Sequence, residues 1–254
     1  MREQNFIIAD KKTPKMILFD YGHTLSYEVD FDGVRGTEAI MKHATQNKNN
    51  LSADEINAFV DSIFNGVWQD ARDSGVEVLN IVADRFIYEY LKISFDIQMD
   101  QVEKIFWDNA APGFAMPNIG DALDYINNRG IRSGVISNIS FCGQNLAKRI
   151  NELLPENKFE FIIASSEYMY RKPNKMIFEL ALNKAELPAG EVWYCGDSTK
   201  YDVAGAVSAG IFPVWFHSEI ECGYRDKNTD IRPECEHLYI RDWLELIRVL
   251  DDTR

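Results

Sequence analysis

No run in the 254-residue chain is long and apolar enough to cross a bilayer. The N-terminus, MREQNFIIADKKTPK, follows its short apolar stretch with Asp10 and two lysines. It lacks the extended apolar core of a secretory leader, so a cytoplasmic location is the expectation. Cysteine is scarce and scattered: Cys142, Cys195, Cys222 and Cys235 form no C-x-x-C pair. A disulfide framework is not expected on that spacing. His217, Cys222, Cys235 and His237 fall close together, but their intervals fit no zinc knuckle and read as a surface loop with incidental cysteines. Positive charge is also short. Lys and Arg number 27 against 40 Asp and Glu, a net charge of -13. Such a surface repels nucleic acid and anionic membranes, so neither is expected as a partner. Internal repeats, low-complexity tracts and long linkers are missing too.

What remains is ordinary globular material, 46% hydrophobic and 26% charged, in a length that suits one large domain or one domain with a sizeable insert. Lys15-Met16-Ile17-Leu18-Phe19 is a short apolar run ending in Asp20, and reads as a buried strand. From about Val34 to Ala111 the pattern becomes helical. Apolar residues recur at helix spacing in EAIMKHATQ, EINAFVDSIFNGVW, VLNIVADRFIYEYLKI and QVEKIFWDNA, with no strand expected between them. Ser52 and Glu55 suit a capping box. Aromatics here, such as Trp68 and Phe86, read as core. Beyond Pro117, strands (RSGVIS, FEFIIAS, EVWYCG, FPVWF and HLYI) alternate with helices. That alternation predicts an α/β fold, a parallel sheet covered on both faces. The helical stretch follows the first strand, so it reads as an insert in a Rossmann-like core.

In an open parallel sheet, ligands bind beyond the carboxyl ends of the strands. Asp20, Gly22 and Thr24 follow the first strand; Ser137 and Asn138 end RSGVIS; Lys172 follows FIIAS; Gly196, Asp197 and Ser198 follow EVWYC, with Asp202 nearby. Two carboxylates can hold Mg2+, a hard cation that prefers oxygen. A carboxylate can also attack phosphorus. A hydroxyl and an ammonium can stabilise charge on the transferred group. Singly, each residue has a plainer explanation as a helix cap or a surface charge. Their shared position at strand ends is what points to phosphoryl chemistry.

Nearly the whole chain, from Lys15 to the last helix, resembles the haloacid dehalogenase superfamily in its form with a helical cap inserted after the first strand. FDYGHTL resembles the family's first motif, VISN its second, RKPNKMIF its third and GDSTKYDVAGAVSAG its fourth. The resemblance implies a Rossmann-like core over residues 1–25 and 112–254 with an all-helical cap over 26–111. It implies a hydrolase, with Asp20 as nucleophile and Ser137, Asn138 and Lys172 around the transferred group. Mg2+ is the implied cofactor, held by Asp20, Asp197 and the backbone carbonyl at Gly22, with Asp202 supporting the metal or Lys172. The implied substrate is a small phosphorylated metabolite.

The chain departs from the family at one position. Gly22 stands where family phosphatases carry the aspartate that protonates the leaving oxygen and then activates water, and His23 stands at the usual glycine. General acid–base catalysis contributes about 10²–10⁴-fold, so a slow phosphatase is one reading. A phosphate-binding or regulatory protein without turnover is a second. Carbon–phosphorus or carbon–halogen cleavage is a third, because those branches also lack this aspartate. Retention of Asp197 and Asp202 argues against dehalogenation, and a phosphonatase would need a cap lysine such as Lys42 or Lys48. His23 has a pKa suited to the missing proton transfer. A catalytic His23 predicts that His23→Ala lowers turnover of a phosphomonoester; unchanged single-turnover and steady-state rates would reject that role.

Overall fold

A computed structural model describes residues 12–220 and 231–253. The chain opens with β1 (Met16–Phe19) and β2 (Ser26–Glu28), then α1 (Gly33–Met41), β3 (Ala44–Asn47), α2 (Ala53–Asp73), α3 (Asn80–Leu91), β4 (Ile93–Phe95) and α4 (Met99–Ala110). Next come β5 (Gly113–Ala115), α5 (Ile119–Asn128), β6 (Arg132–Ser137), α6 (Gly143–Leu153), β7 (Ile162–Ala164), α7 (Ser165–Tyr168) and α8 (Lys175–Ala185). It closes with β8 (Val192–Gly196), α9 (Ala204–Ser208), β9 (Phe212–Phe216), β10 (Leu238–Ile240) and α10 (Trp243–Asp252).

Six strands form one parallel sheet in the order β10-β9-β8-β1-β6-β7. The Rossmann-like core expected from the alternating pattern is therefore present. β1 lies in the middle, with Phe19 in register with Val135 of β6 on one side and Cys195 of β8 on the other. The chain builds outward from β1 through β6 and β7, then returns to build through β8, β9 and β10. That reversal opens a crevice beyond the carboxyl end of β1.

Strand alternation sorts the core. Ile17, Phe19, Val135, Trp193 and Val214 face one side, where they pack with residues of α5, α6 and α10. Met16, Leu18, Ile136, Val192 and Tyr194 face the other, against α8 and Ala206 of α9. Both faces are covered, which is why these strands read as continuous apolar runs.

The stretch between β2 and β5 gathers its own apolar cluster, including Ile40, Ile56, Ile87, Leu91 and Val102. Ser52 caps α2 as the sequence suggested: its backbone N–H donates to Glu55 Oε2 at 2.8 Å, and Glu55 N donates to Ser52 Oγ at 3.2 Å. The expectation of helices without strands here needs correction. Ala44–Asn47 leaves the helical path after Met41 and pairs antiparallel with Ile93–Phe95. Lys92 at φ 58 turns the chain out of α3, and the β-branched and aromatic residues of Ile93–Phe95 then suit a strand. Phe86 was expected in the core, yet it is 51% exposed and packs only edge-on with Phe64 and stacked with Tyr90. β2 and β5 pair antiparallel at the two ends of this stretch. Of the suggested zinc set, Cys222 lies outside the described residues; His217 stacks on Trp215, and His237 Nδ1 contacts the Cys235 carbonyl.

Trp243 anchors α10 to the sheet. It is fully buried, stacks on Phe216 at 4.5 Å and meets Phe19 edge-on at 5.6 Å, while its indole N–H has no acceptor among the described residues. Trp243→Ala is therefore expected to cost about 3–5 kcal/mol in urea unfolding. Trp243→Phe, which keeps most of the ring and removes the unsatisfied donor, should cost less than about 1.5 kcal/mol.

Candidate active site

Asp20 follows β1 directly, and its backbone N–H donates to the Cys195 carbonyl of β8 at 2.8 Å. The sheet register thus continues one residue past the strand and sets the carboxylate in the crevice. Ser137 ends β6 and Asp197 follows β8, both buried at the same edge. The cavity there has a volume of about 370 Å³, and Asp20, Ser137, Lys172 and Asp197 all line it.

Lys172 is 2% exposed, and its ammonium has three partners: Asp20 Oδ1 at 2.6 Å, Asp202 Oδ1 at 2.6 Å and Tyr194 Oη at 2.8 Å. All three N–H bonds of the ammonium are used. Desolvation works to lower the pKa of Lys172, but the two carboxylates more than offset it, and the net shift is upward. Its backbone is fixed as well. Asn138 accepts from Lys172 N at 2.7 Å through Oδ1 and donates to Lys172 O at 2.9 Å through Nδ2. Both ends of the Asn138 amide therefore hold the lysine's loop, and Asn138 also lines the cavity.

Asp202 lies behind the lysine. Its second oxygen accepts from Ser198 N at 2.9 Å. The turn that carries it, Thr199–Val203, is wider than an α-helical turn, and Ser198 Oγ caps it by accepting from Tyr201 N at 3.2 Å. The pattern DVAGAVSAG predicts a helix from Asp202 onward; in the structure Asp202 and Val203 belong to the wide turn, which brings Asp202 back toward β8, and α9 begins at Ala204. Gly196 permits that return, since a Cβ at this position would overlap the Asp202 carboxylate. Asp197 is held by its main chain, whose carbonyl accepts from Trp215 Nε1 at 3.0 Å.

Asp20, Asp197 and Asp202 each present an oxygen within 4.8 Å of the others, all three buried. Burial pushes the Asp20 carboxyl up to about 7, against the pull of Lys172 and with Asp202 adding to the rise. Three buried carboxylates thus cluster beside the Lys172 ammonium and offer hard oxygen donors. That donor set fits a divalent cation such as Mg2+.

Gly22 and His23 line the same cavity. A Cβ at Gly22 would meet nothing within 4 Å, and Gly22 is not among the residues at positive φ. Glycine is thus required there by neither space nor backbone. His23 instead adopts φ 56, the left-handed region that glycine enters without strain. The histidine keeps the turn the family makes with glycine.

The sequence reading missed Tyr194, which sits on a strand and looks like core; its hydroxyl contacts Lys172, Asp202 and the Ile136 carbonyl. It also missed the outer wall of the cavity, where Arg72 and Glu77 approach from the segment after β2, and Arg171 pairs with Glu77 at 2.5 Å.

A family model described as haloacid dehalogenase-like hydrolase matches residues 38–216, well over half of the chain. The chain belongs to this family. The match begins after Asp20, so the first motif rests on the geometry above. Among curated proteins, haloacid dehalogenase-like hydrolase domain-containing protein 3 of Xenopus laevis is 28% identical over 40% of this chain and 41% of its own length. The glyceraldehyde 3-phosphate phosphatase of Methanothermobacter thermautotrophicus is 30% identical over 43% of this chain and 48% of its own length. The matches thus span less than half of either relative. The pyrimidine 5'-nucleotidase YjjG of Escherichia coli is 26% identical over 66% of this chain and 71% of its own length. Two solved structures share the fold. A HAD phosphatase from Thermococcus onnurineus has TM-score 0.61 at 21% identity, and a 2-haloacid dehalogenase from Pseudomonas syringae has 0.60 at 18%; each comparison covers 94% of this chain and 99% of the other.

The Lys172 clamp has a direct consequence for stability. Asp202→Ala would leave the buried ammonium with one carboxylate and the Ser198 N–H without its acceptor. Urea unfolding is expected to show a loss of about 3–5 kcal/mol, the usual cost of breaking a buried ion pair.

Proposed function

We propose that this hydrolase is a Mg2+-dependent phosphatase that removes phosphate from a small phosphorylated metabolite through an aspartyl-phosphate. The observation that carries the reading is the buried cluster in which Asp20 is fixed by Lys172 at 2.6 Å beside Asp197. A carboxylate held at the end of the central strand, with its rotamer set by an ammonium, is oriented for attack on phosphorus rather than free to rotate.

Asp20, Asp197 and the Gly22 carbonyl would hold the cation, with Asp202 behind Lys172. When bound, Mg2+ would supply counter-charge and withdraw electron density from the phosphoryl oxygens. Asp20 attacks phosphorus, the bond from phosphorus to the leaving oxygen breaks, and that oxygen takes a proton from His23 or solvent to depart as an alcohol. Lys172 and the Ser137 hydroxyl stabilise the equatorial charge. Water then releases phosphate and regenerates Asp20. Residues 26–111 act as a cap that excludes water and selects the leaving group.

The proton required by the leaving oxygen is the slow point, because no carboxylate stands at Gly22. This same observation supports a second reading, a protein that binds phosphate and Mg2+ without turnover. The phosphonatase reading has no such support: Lys42 and Lys48 are exposed and line neither the catalytic cavity nor the one adjoining it.

The test is a screen of phosphomonoesters and acetyl phosphate with Mg2+, with Asp20→Asn as control and chelation of the metal as a second control. Turnover that both controls abolish is the expected result. Gly22→Asp, placed in open space, is expected to raise kcat on phosphomonoesters by about tenfold or more. Phosphate and Mg2+ binding with no turnover above Asp20→Asn would overturn the phosphatase reading in favour of the second.

A further inference from the structure

A second cavity, of about 340 Å³, lies among the helices between β2 and β5. Arg72, Ser140 and Phe141 line both this cavity and the catalytic one, so the two share a wall. Two side chains stand on that route. Trp68 lines the second cavity, and its Nε1 is buried with no hydrogen-bond partner among the described residues. A buried donor left unmade costs about 1–3 kcal/mol, so an indole N–H is rarely left this way without a ligand or water to receive it. Arg72 is the other. The remaining cations of the catalytic cavity are neutralised among the described residues: Lys172 by Asp20 and Asp202, Arg171 by Glu77. Arg72 has no carboxylate there, and it faces Arg171 closely enough for the like charge to oppose Arg171's own.

Trp68 and Arg72 are four residues apart on α2, one turn along the same face. One helix face therefore presents an indole N–H and a guanidinium to the space beyond the reacting phosphate. Arg72 is exposed, and a solvated surface arginine would account for it alone, but not for the buried, unsatisfied Nε1 of half-buried Trp68 one turn away in the same cavity.

We infer that the leaving group carries a second oxyanion, a carboxylate or another phosphate, which Arg72 and the Trp68 N–H receive at the junction of the two cavities. This deepens the phosphatase reading and rests on it for the reacting end of the substrate. A guanidinium offers a planar fork that matches either oxyanion, and it leaves a neutral polyol without a matched partner. Asp61 and Asp84 also line the second cavity; Asp61 is exposed, and burial, with Glu103 adding, pushes the Asp84 carboxyl up to about 8, which weakens its opposition to a bound anion.

The test uses matched pairs on the full chain: phosphoglycerate against glycerol phosphate for a carboxylate, and a sugar bisphosphate against the sugar monophosphate for a second phosphate. In at least one pair, kcat/KM is expected to favour the acidic member by about tenfold, the worth of one charge-assisted contact. A preference confined to one pair names the oxyanion. Arg72→Gln should bring the ratio to about one, Arg72→Lys should keep part of it, and Trp68→Phe should reduce it while retaining the ring. Calorimetric binding of the same pairs to Asp20→Asn, with and without Arg72→Gln, reads the preference without turnover. Equal kcat/KM within both pairs, or a preference that survives Arg72→Gln, would overturn the inference while leaving the phosphatase reading intact. A binding preference lost with Arg72→Gln but no turnover of any ester would support it and overturn the phosphatase reading instead.

Discussion

An ammonium buried to the extent of Lys172 is tolerated only if its charge is met. Removing an ion from water costs several kcal/mol even after the protein relaxes. Here Asp20 and Asp202 meet it at 2.6 Å each, and Tyr194 supplies the third acceptor. Much of the surrounding structure keeps this contact in place. Asn138 grips the lysine's backbone from the end of β6, and Ser198 N grips Asp202 from the start of the wide turn. Four separate segments, following β1, β6, β7 and β8, thus meet at one charge. The order of the strands makes the meeting possible, since β6 and β8 flank β1 directly.

The same burial acts on the carboxylate. Desolvation raises the Asp20 pKa to about 7, against the pull of Lys172 and with Asp202 adding to the rise. On the proposed mechanism the attacking carboxylate must be ionised. A divalent cation beside Asp20 and Asp197 would lower the Asp20 pKa and favour that form.

Much of this was legible in the sequence because it depends on local pattern. Apolar runs of strand length gave the sheet, and polar residues just past them gave Asp20, Ser137, Lys172 and Asp197. Relations between distant segments were not legible. Tyr194 has the sequence environment of any core tyrosine, and only the register of β8 against β1 shows that its hydroxyl reaches Lys172. The ribbon of Ala44–Asn47 with Ile93–Phe95 was hidden because ATQN continues a helical-looking stretch; its partner lies dozens of residues away. The wide turn before α9 was hidden for the opposite reason. Its residues suit a helix, and the close approach of Asp202 to Gly196 reshapes the first turn. Trp68 was read as core on its ring, and its N–H, the informative part, has meaning only once its surroundings are known.

Gly22 and His23 set the limit on what such a site can do. In the family pattern an acid is followed by the glycine that makes the turn; here glycine holds the acid's place and histidine makes the turn at φ 56. Neither change disturbs Asp20, whose position depends on β8 and Lys172. Neither removes the Gly22 carbonyl. Open space beside Gly22 shows that no packing constraint excluded a carboxylate. The substitution therefore separates two capacities that the family usually carries together. On the proposed mechanism, holding and attacking the phosphoryl group fall to the buried clamp, and moving the proton falls to the half-buried turn, where His23, solvent or the substrate itself would supply what Gly22 does not.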